Sequence, residues 1–229
     1  MAKHIGIVAV SYEGAALCYR TICAEASRSL GDHQHPEITL HNICLSDYMN
    51  RIWQDDWAGV GALLLASTRK VAKAGAEFVV CPCNAVHRSV PDLREESPIP
   101  WLHIADVVAR EALAAGYKKI GVLGTSYLMD SRIYSRSLGA AGIECVMPGE
   151  ADRNSVDRII MVELVDGTVT ENARATVHGV IERMAGLGCD AVALACTELP
   201  LLVRPGETVI PTLDSTRLLA RAALAEAFR

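Results

Sequence analysis

The strongest constraint on this 229-residue chain is that it contains itself twice. Ile5-Gly6-Ile7-Val8-Ala9-Val10-Ser11-Tyr12 lies over Ile120-Gly121-Val122-Leu123-Gly124-Thr125-Ser126-Tyr127 at an offset of 115, and at that offset Tyr19 meets Tyr134. At an offset of 113, Gly75-Ala76-Glu77-Phe78-Val79-Val80 ahead of Cys83-Asn84 lies over Gly188-Cys189-Asp190-Ala191-Val192-Ala193 ahead of Cys196-Thr197. A third block, Ile99-Pro100-Trp101-Leu102 with Ala109-Arg110, matches Ile210-Pro211-Thr212-Leu213 with Ala220-Arg221 at an offset of 111. Three blocks in one order with a slowly drifting offset mark a duplicated unit that has lost a few loop residues.

Each copy opens on a short β-branched apolar run, passes through an amphipathic helical pattern and reaches a second apolar run that ends in the cysteine. Runs of this kind read as buried parallel strands. The helical patterns Trp57 to Ala74 and Asn172 to Leu187 are each followed by a glycine able to cap them. The alternation predicts an α/β fold of two similar parallel-sheet lobes related by a pseudo-two-fold axis. Lobe one is expected at 1–101 plus 211–229 and lobe two at 102–210, the helix that begins near Asp214 packing on lobe one. Open α/β sheets bind ligands beyond the carboxyl ends of their strands. That rule puts Cys83 and Cys196 on opposite walls of one cleft, the expected active site.

Composition narrows the partner to a small molecule. With 22 basic and 27 acidic residues the net charge is −5, and no Lys/Arg run builds a nucleic-acid footprint. No apolar run approaches the roughly 20 residues that cross a bilayer, and the first residues lack a signal-peptide plan. A cytoplasmic location without membrane contact is expected. Eight cysteines scattered at 18, 23, 44, 81, 83, 145, 189 and 196 do not read as a disulfide framework. Cys81-Pro82-Cys83 lacks a second pair at zinc spacing, and His33, His35 and His41, in or beside a loop, form no ligand set. No metal is expected. Only five lysines occur, none at a strand end beside a helix start, which disfavours pyridoxal phosphate; no cofactor is expected.

The duplicated cysteines suit one chemistry above others. Inverting a stereocentre that bears a weakly acidic C–H takes a base on one face and an acid on the other, and the two exchange roles in the reverse direction. Equal groups at equivalent places in a duplicated fold meet that need, and a thiol near pKa ~8.5 can be tuned for it. Asn84 and Thr197 follow the cysteines directly, and Ser11, Thr125 and Ser126 end the first strands, where they ring the cleft with donors or simply cap helices. Cys18, Cys23, Cys44, Cys145 and Cys189 read as small buried hydrophobes, as does Cys81, whose counterpart is Leu194. His87 either tunes Cys83 or is structural; Glu198 either orients Cys196 or supplies charge in a first helical turn.

Cys81-Pro82-Cys83-Asn84-Ala85-Val86-His87 and Ala195-Cys196-Thr197-Glu198-Leu199-Pro200-Leu201-Leu202 resemble the two signature motifs of the aspartate/glutamate racemase family. Trp101-Leu102-His103-Ile104-Ala105-Asp106, Leu123 to Tyr127 and Ile159-Ile160-Met161-Val162-Glu163-Leu164 also resemble family blocks, so the likeness spans most of the chain. The resemblance implies a racemase independent of pyridoxal phosphate, usually a homodimer, that acts on an amino acid with Cys83 and Cys196 as alternate base and acid. It also implies that Asn84, Thr197 and the backbone around Thr125 and Ser126 hold the substrate carboxylate. Three departures bear on specificity. Ala85 stands where many members have Thr, Val8-Ala9-Val10-Ser11 replaces a Gly-Gly-Met type of loop, and Val165-Asp166-Gly167 stands where aspartate-selective members are expected to carry a lysine. Arg51 and Arg88 are the nearest cations in sequence, and both read as surface residues. Val10, Ala85 and Val165 therefore predict a pocket that accepts a neutral side chain at least as well as an acidic one, closest to the broad-specificity branch. Other cysteine-dependent enzymes of this fold isomerise maleate, racemise hydantoins or decarboxylate malonates; these, and a non-catalytic binding module, are the alternatives.

Overall fold

The computed structural model describes residues 2–229. It separates into two compact units, one running through Ile104 and taking up Thr216–Arg229, the other being Ala105–Ser215. In the first unit β1 (Ile5–Ala9) is followed by α1 (Tyr12–Leu30), β2 (Ile38–Asn42), α2 (Leu45–Trp53) and α3 (Trp57–Lys73). Then come β3 (Phe78–Val80), a 3-10 turn Ala85–Ser89, α4 (Val90–Leu93) and β4 (Trp101–Leu102). The second unit opens with α5 (Ile104–Ala114) and β5 (Lys119–Leu123), continues through α6 (Ser126–Met129), α7 (Ile133–Ala140), β6 (Glu144–Val146) and α8 (Glu150–Arg158), and reaches α9 (Glu171–Gly186). It closes on β7 (Ala191–Leu194), a 3-10 turn Leu199–Leu201 and β8 (Thr212–Asp214), after which α10 (Ser215–Ala227) belongs to the first unit. None of these helices is long and apolar enough to cross a membrane.

Each unit is built on a four-stranded, wholly parallel sheet, ordered β2-β1-β3-β4 in one and β6-β5-β7-β8 in the other. The repeat survives in the register. Ile5 pairs Phe78 and Gly6 pairs Val79, while their counterparts Ile120 and Gly121 pair Ala191 and Val192; Val79 pairs Trp101 as Val192 pairs Thr212. The central strands β1, β3 and β7 are buried throughout, and β5 from its second residue. Buried backbone of that kind must be paired, which is why a continuous apolar run settles as an inner parallel strand.

Strand pairing also moves the boundaries between the units. Leu102 pairs with β3 in the first sheet and Thr212–Asp214 with β7 in the second. The divisions therefore fall at 104/105 and 215/216 instead of 101/102 and 210/211. Within the first unit α10 is tied down by Lys3 N–H donating to the Ala227 carbonyl at 2.7 Å, by Lys3 Nζ on Glu226 at 2.6 Å and by Arg221 on Glu25 at 2.9 Å.

Two glycine pairs explain why helix and sheet approach as closely as they do. A Cβ on Gly6 would meet Val71 Cγ2 at 2.8 Å and the Phe78 carbonyl oxygen at 3.2 Å, and on its counterpart Gly121 it would meet Met184 Cε at 2.7 Å. Val71 lies on α3 and Met184 on α9, so equivalent helices seat on equivalent glycines. Gly75 and Gly188, at φ +104° and +83°, end those helices in a conformation that side chains avoid.

His87 anchors the turn that follows Cys83. Its Nε2 lies 2.9 Å from the Cys81 carbonyl oxygen, and the Ile104 N–H donates to Nδ1 at 3.4 Å. A ring nitrogen that accepts carries no proton, so Nε2–H is the donor and the ring is neutral. Complete burial, reinforced by the His103 ring 4.6 Å away, holds its pKa well below the usual histidine range. His87 is thus a brace between the end of β3 and the start of α5.

Two expectations follow. Gly6→Ala should cost about 1–3 kcal/mol in urea unfolding, while Gly139→Ala, where an added Cβ meets nothing within 4 Å, should be neutral or stabilising by up to about 1 kcal/mol. For His87 the folded pKa lies below the unfolded one, so its contribution is present above the unfolded value and is lost as the pH falls below it. The stability gap between wild type and His87→Gln should therefore shrink by up to about 1.4 kcal/mol per unit as the pH drops from about 7 to about 5. A gap that ignores pH would show that the ring is not held neutral.

Candidate active site

In each sheet the chain first adds a strand on one side of the opening strand and then crosses to the other side, so the order reverses between β1 and β3 and between β5 and β7. Two adjacent carboxyl ends whose connections leave in opposite directions form a crevice, the usual ligand position in open α/β sheets. The loops there are Val10-Ser11 with Cys81 to Asn84 in the first unit, and Gly124-Thr125 with Ala195 to Thr197 in the second. Each unit carries one such crevice, labelled a half-site for the role proposed below.

In the first half-site Cys83 is partly exposed, while Val10 and Asn84 are buried and Ala85 is half-buried. Ser11 is the N-cap of α1, its Oγ accepting from Gly14 N–H at 3.2 Å. Asn84 precedes the 3-10 turn and makes no capping bond to it. Behind the cysteine lies Tyr48, a residue the sequence reading passed over. Its hydroxyl is wholly buried, and burial raises the phenol well above its usual range with the Cys81 and Cys83 sulfurs adding to the rise. The Ser67 hydroxyl offsets part of that effect without reaching ordinary hydrogen-bond geometry.

The second half-site has the same backbone plan and different chemistry. Gly124 ends β5 against the backbone of Ala195, whose carbonyl oxygen an added Cβ would meet at 3.1 Å, so no larger residue fits beside the loop that carries Cys196. Glu198, only 6% exposed, turns one carboxylate oxygen, Oε2, to two donors: Cys196 Sγ at 2.9 Å and Thr197 Oγ1 at 2.6 Å. Glu198 thereby orients the thiol, and the residue equivalent to it in the first copy is Ala85. The Thr197 hydroxyl hydrogen points to Glu198, so toward a ligand that oxygen offers lone pairs. Ser126 N–H donates to Asp157 Oδ1 at 2.7 Å, and Thr125 makes no side-chain cap bond. Two of the donors that the family resemblance assigns to a substrate carboxylate are thus turned toward acidic side chains. Asp157 sits on α8, far from the motifs in sequence, and nothing in its local pattern signals this position.

The cations considered from sequence are occupied elsewhere. Arg51 closes α2 and pairs Asp56 at 2.6 Å; Arg88 lies over the Trp57 ring, 4.5 Å from its centroid, and reaches Asp55 at 3.7 Å. Val165 is half-buried ahead of Gly167, whose φ is +74°. Among the remaining cysteines, burial pushes the Cys18 thiol up to about 12 and the Cys145 thiol up to about 11, and it raises Cys81 well above the usual range. Cys44 departs from the expected buried hydrophobe: it is exposed at the start of α2, and Ser46, 3.1 Å away, lowers its pKa. His41 departs likewise, lying within β2 with its ring between Ser67 Oγ and Lys70 Nζ, each at 3.1 Å. Among the described residues no three His, Cys, Asp or Glu converge as a metal-binding set.

Comparison with known proteins agrees with this plan. The chain is 24% identical over 200 residues to the broad specificity amino-acid racemase RacX of Bacillus subtilis, covering 87% of this chain and 86% of that one. A structure from Yersinia pestis, provisionally described as an Asp/Glu racemase, superposes with a TM-score of 0.91 at 31% identity over 99% of this chain and all of that one. An aspartate racemase homologue from Pyrococcus horikoshii OT3 superposes with a TM-score of 0.86 at 28% identity over the full length of both. The family profile described as Asp/Glu/hydantoin racemase matches residues 6–223, and the chain accordingly belongs to that family.

Proposed function

We propose that this protein is an amino-acid racemase that inverts the α-carbon without a cofactor, using Cys83 and Cys196 as its acid–base pair. The observation that carries the reading is the equivalence of the two cysteines: each stands at the switch point of its own parallel sheet, at matching places in a duplicated register. One sulfur, as thiolate, takes the α-proton from one face while the other, as thiol, returns a proton to the opposite face. The two then hold each other's protonation state, ready for the reverse direction. Cys196 begins with its proton directed at Glu198, which orients the second thiol as the donor. The carbanion formed between the two steps is stabilised by fixed donors and dipoles.

Charge supports a division of the zwitterion between the half-sites. Asn84 suits the α-carboxylate, whereas Asp157 and the Thr197 oxygen suit the α-ammonium group. Glu198 and Asp157 together make the second half-site inhospitable to a further carboxylate, because unpaired like charges in a shielded site cost several kcal/mol. This favours neutral side chains over acidic ones, in keeping with the breadth named for the Bacillus relative. The reading includes a cytoplasmic, homodimeric enzyme, as the family resemblance implies.

Incubation of an amino-acid panel in deuterium oxide, read by NMR at Cα, tests the activity itself. Cys83→Ser and Cys196→Ser should each abolish net racemisation, and each should retain slow α-proton exchange of one enantiomer only. Full activity in either variant would end the two-base reading. For specificity, kcat/KM for aspartate and glutamate should not exceed that of the best neutral amino acid by more than about tenfold, a gap of about 1.4 kcal/mol. Asp157→Asn should shift the ratio toward the acidic substrates, and a ratio left unchanged would remove Asp157 from the substrate-facing set.

A further inference from the structure

Helix α1 turns Ala15, Cys18, Ile22 and Ala26 into the core of the first unit. Its outward side is not the polar face that such a helix ordinarily presents. Tyr12 is 64% exposed and Tyr19 45% exposed, with the exposed Ala16 between them and Cys23 lying against Tyr19 one turn on. Residues 12, 16, 19 and 23 follow a 4-3-4 spacing and so form one straight seam, the arrangement a helix uses to receive another helix. In the second copy the tyrosine matching Tyr19, Tyr134, is buried at 1% exposure, so the exposed apolar surface belongs to the first copy alone.

The charges beside the seam specify what it receives. Glu13 and Arg20 are exposed, lie on the same side of the seam two turns apart, and form no ion pair among the described residues. Two copies of α1 running antiparallel about a two-fold axis that passes between Ala16 and Leu17 would put Glu13 of each opposite Arg20 of the other. A parallel pair would put Glu13 and Arg20 of one helix on the opposite side of the seam from those of the other, so the pairs could not form. The small Ala16 at the axis allows the helices to approach closely, and each Tyr19 then fits between Tyr12 and Ala16 of the second copy. A surface that complements itself under a two-fold rotation is the signature of an isologous contact. We infer that the outward face of α1 is a self-association surface whose partner is the α1 of a second copy of this chain, antiparallel and locked by two reciprocal Glu13–Arg20 pairs. This rests on the first unit's surface alone and not on the proposed activity.

A single helix pair buries less than the roughly 1,200–2,000 Å² of stable complexes, so the association should be concentration-dependent. Light-scattering molar mass and sedimentation velocity across a dilution series of the full chain test it. Glu13→Arg and Arg20→Glu should each raise the dissociation constant at least about tenfold, because each places two like-charged pairs in the interface. The double variant Glu13→Arg/Arg20→Glu should regain wild-type association. Ala16→Cys, next to the axis, should form a disulfide-linked dimer under mild oxidant in a yield well above that of the wild type. All three positions are exposed, so thermal melts should match the wild type and exclude misfolding as the cause. A wild type that stays monomeric throughout, single reversals that leave the curve unchanged, or a double variant that fails to recover would each overturn the inference.

Discussion

The parallel hydrogen-bond ladder between the opening strand of each unit and the strand that precedes its cysteine governs everything built above it. β1 and β3, like β5 and β7, lie in a dry interior where every unpaired N–H or C=O would cost a kilocalorie or more. Their register is therefore fixed, and with it the relative height of the two loops that leave their carboxyl ends. Gly6 and Gly121 add the second constraint by letting α3 and α9 settle directly on the sheets. A cysteine two or three residues beyond such a ladder inherits its position from backbone pairing and needs little help from its own side chain.

Duplication supplies matching backbones and leaves the side chains free to diverge. Cys83 is followed by Asn84 and Ala85 and backed by the phenol of Tyr48; Cys196 is followed by Thr197 and by Glu198, whose carboxylate gathers both neighbouring donors. Asp157 adds a second acid on the same side by taking up the Ser126 N–H. The two thiols thus sit in similar geometry and unlike fields. In the proposed acid–base pair the two sulfurs are therefore not interchangeable: Cys196 has the Glu198 carboxylate beside it, and Cys83 the phenol of Tyr48.

What was legible in the sequence follows from what repeats and what is buried. The inner strands announce themselves because burial on both faces demands unbroken apolar runs, and their recurrence at nearly constant offsets marked them in both copies. The outer strands β2 and β6 escaped notice: Ile38–Asn42 and Glu144–Val146 are half exposed, so polar residues interrupt their pattern. The cysteines were visible through their coincidence under the repeat. Asp157 and Tyr48 were not, since each reaches its half-site from a helix distant in sequence and only tertiary packing brings it there. The unit boundaries were misplaced by a few residues for a related reason: strand pairing decides where β4 and β8 belong, and a repeat comparison carries no information on pairing. His87 illustrates the opposite case, a residue whose spacing from Cys83 suggested chemistry but whose two ring nitrogens are both committed to backbone.

The last helix has a consequence for how the chain is made. α10 completes the first unit, yet it is made only after the whole of the second. Domains that fold as they emerge do so from the amino terminus onward, but here the earliest-made sheet must wait until α10, with its buried Leu219 and Ala223, has been made. The second unit, continuous in sequence, can close while still tethered. Folding therefore runs in an order opposite to synthesis: the later unit can mature first, and the arrival of α10 seals the earlier one.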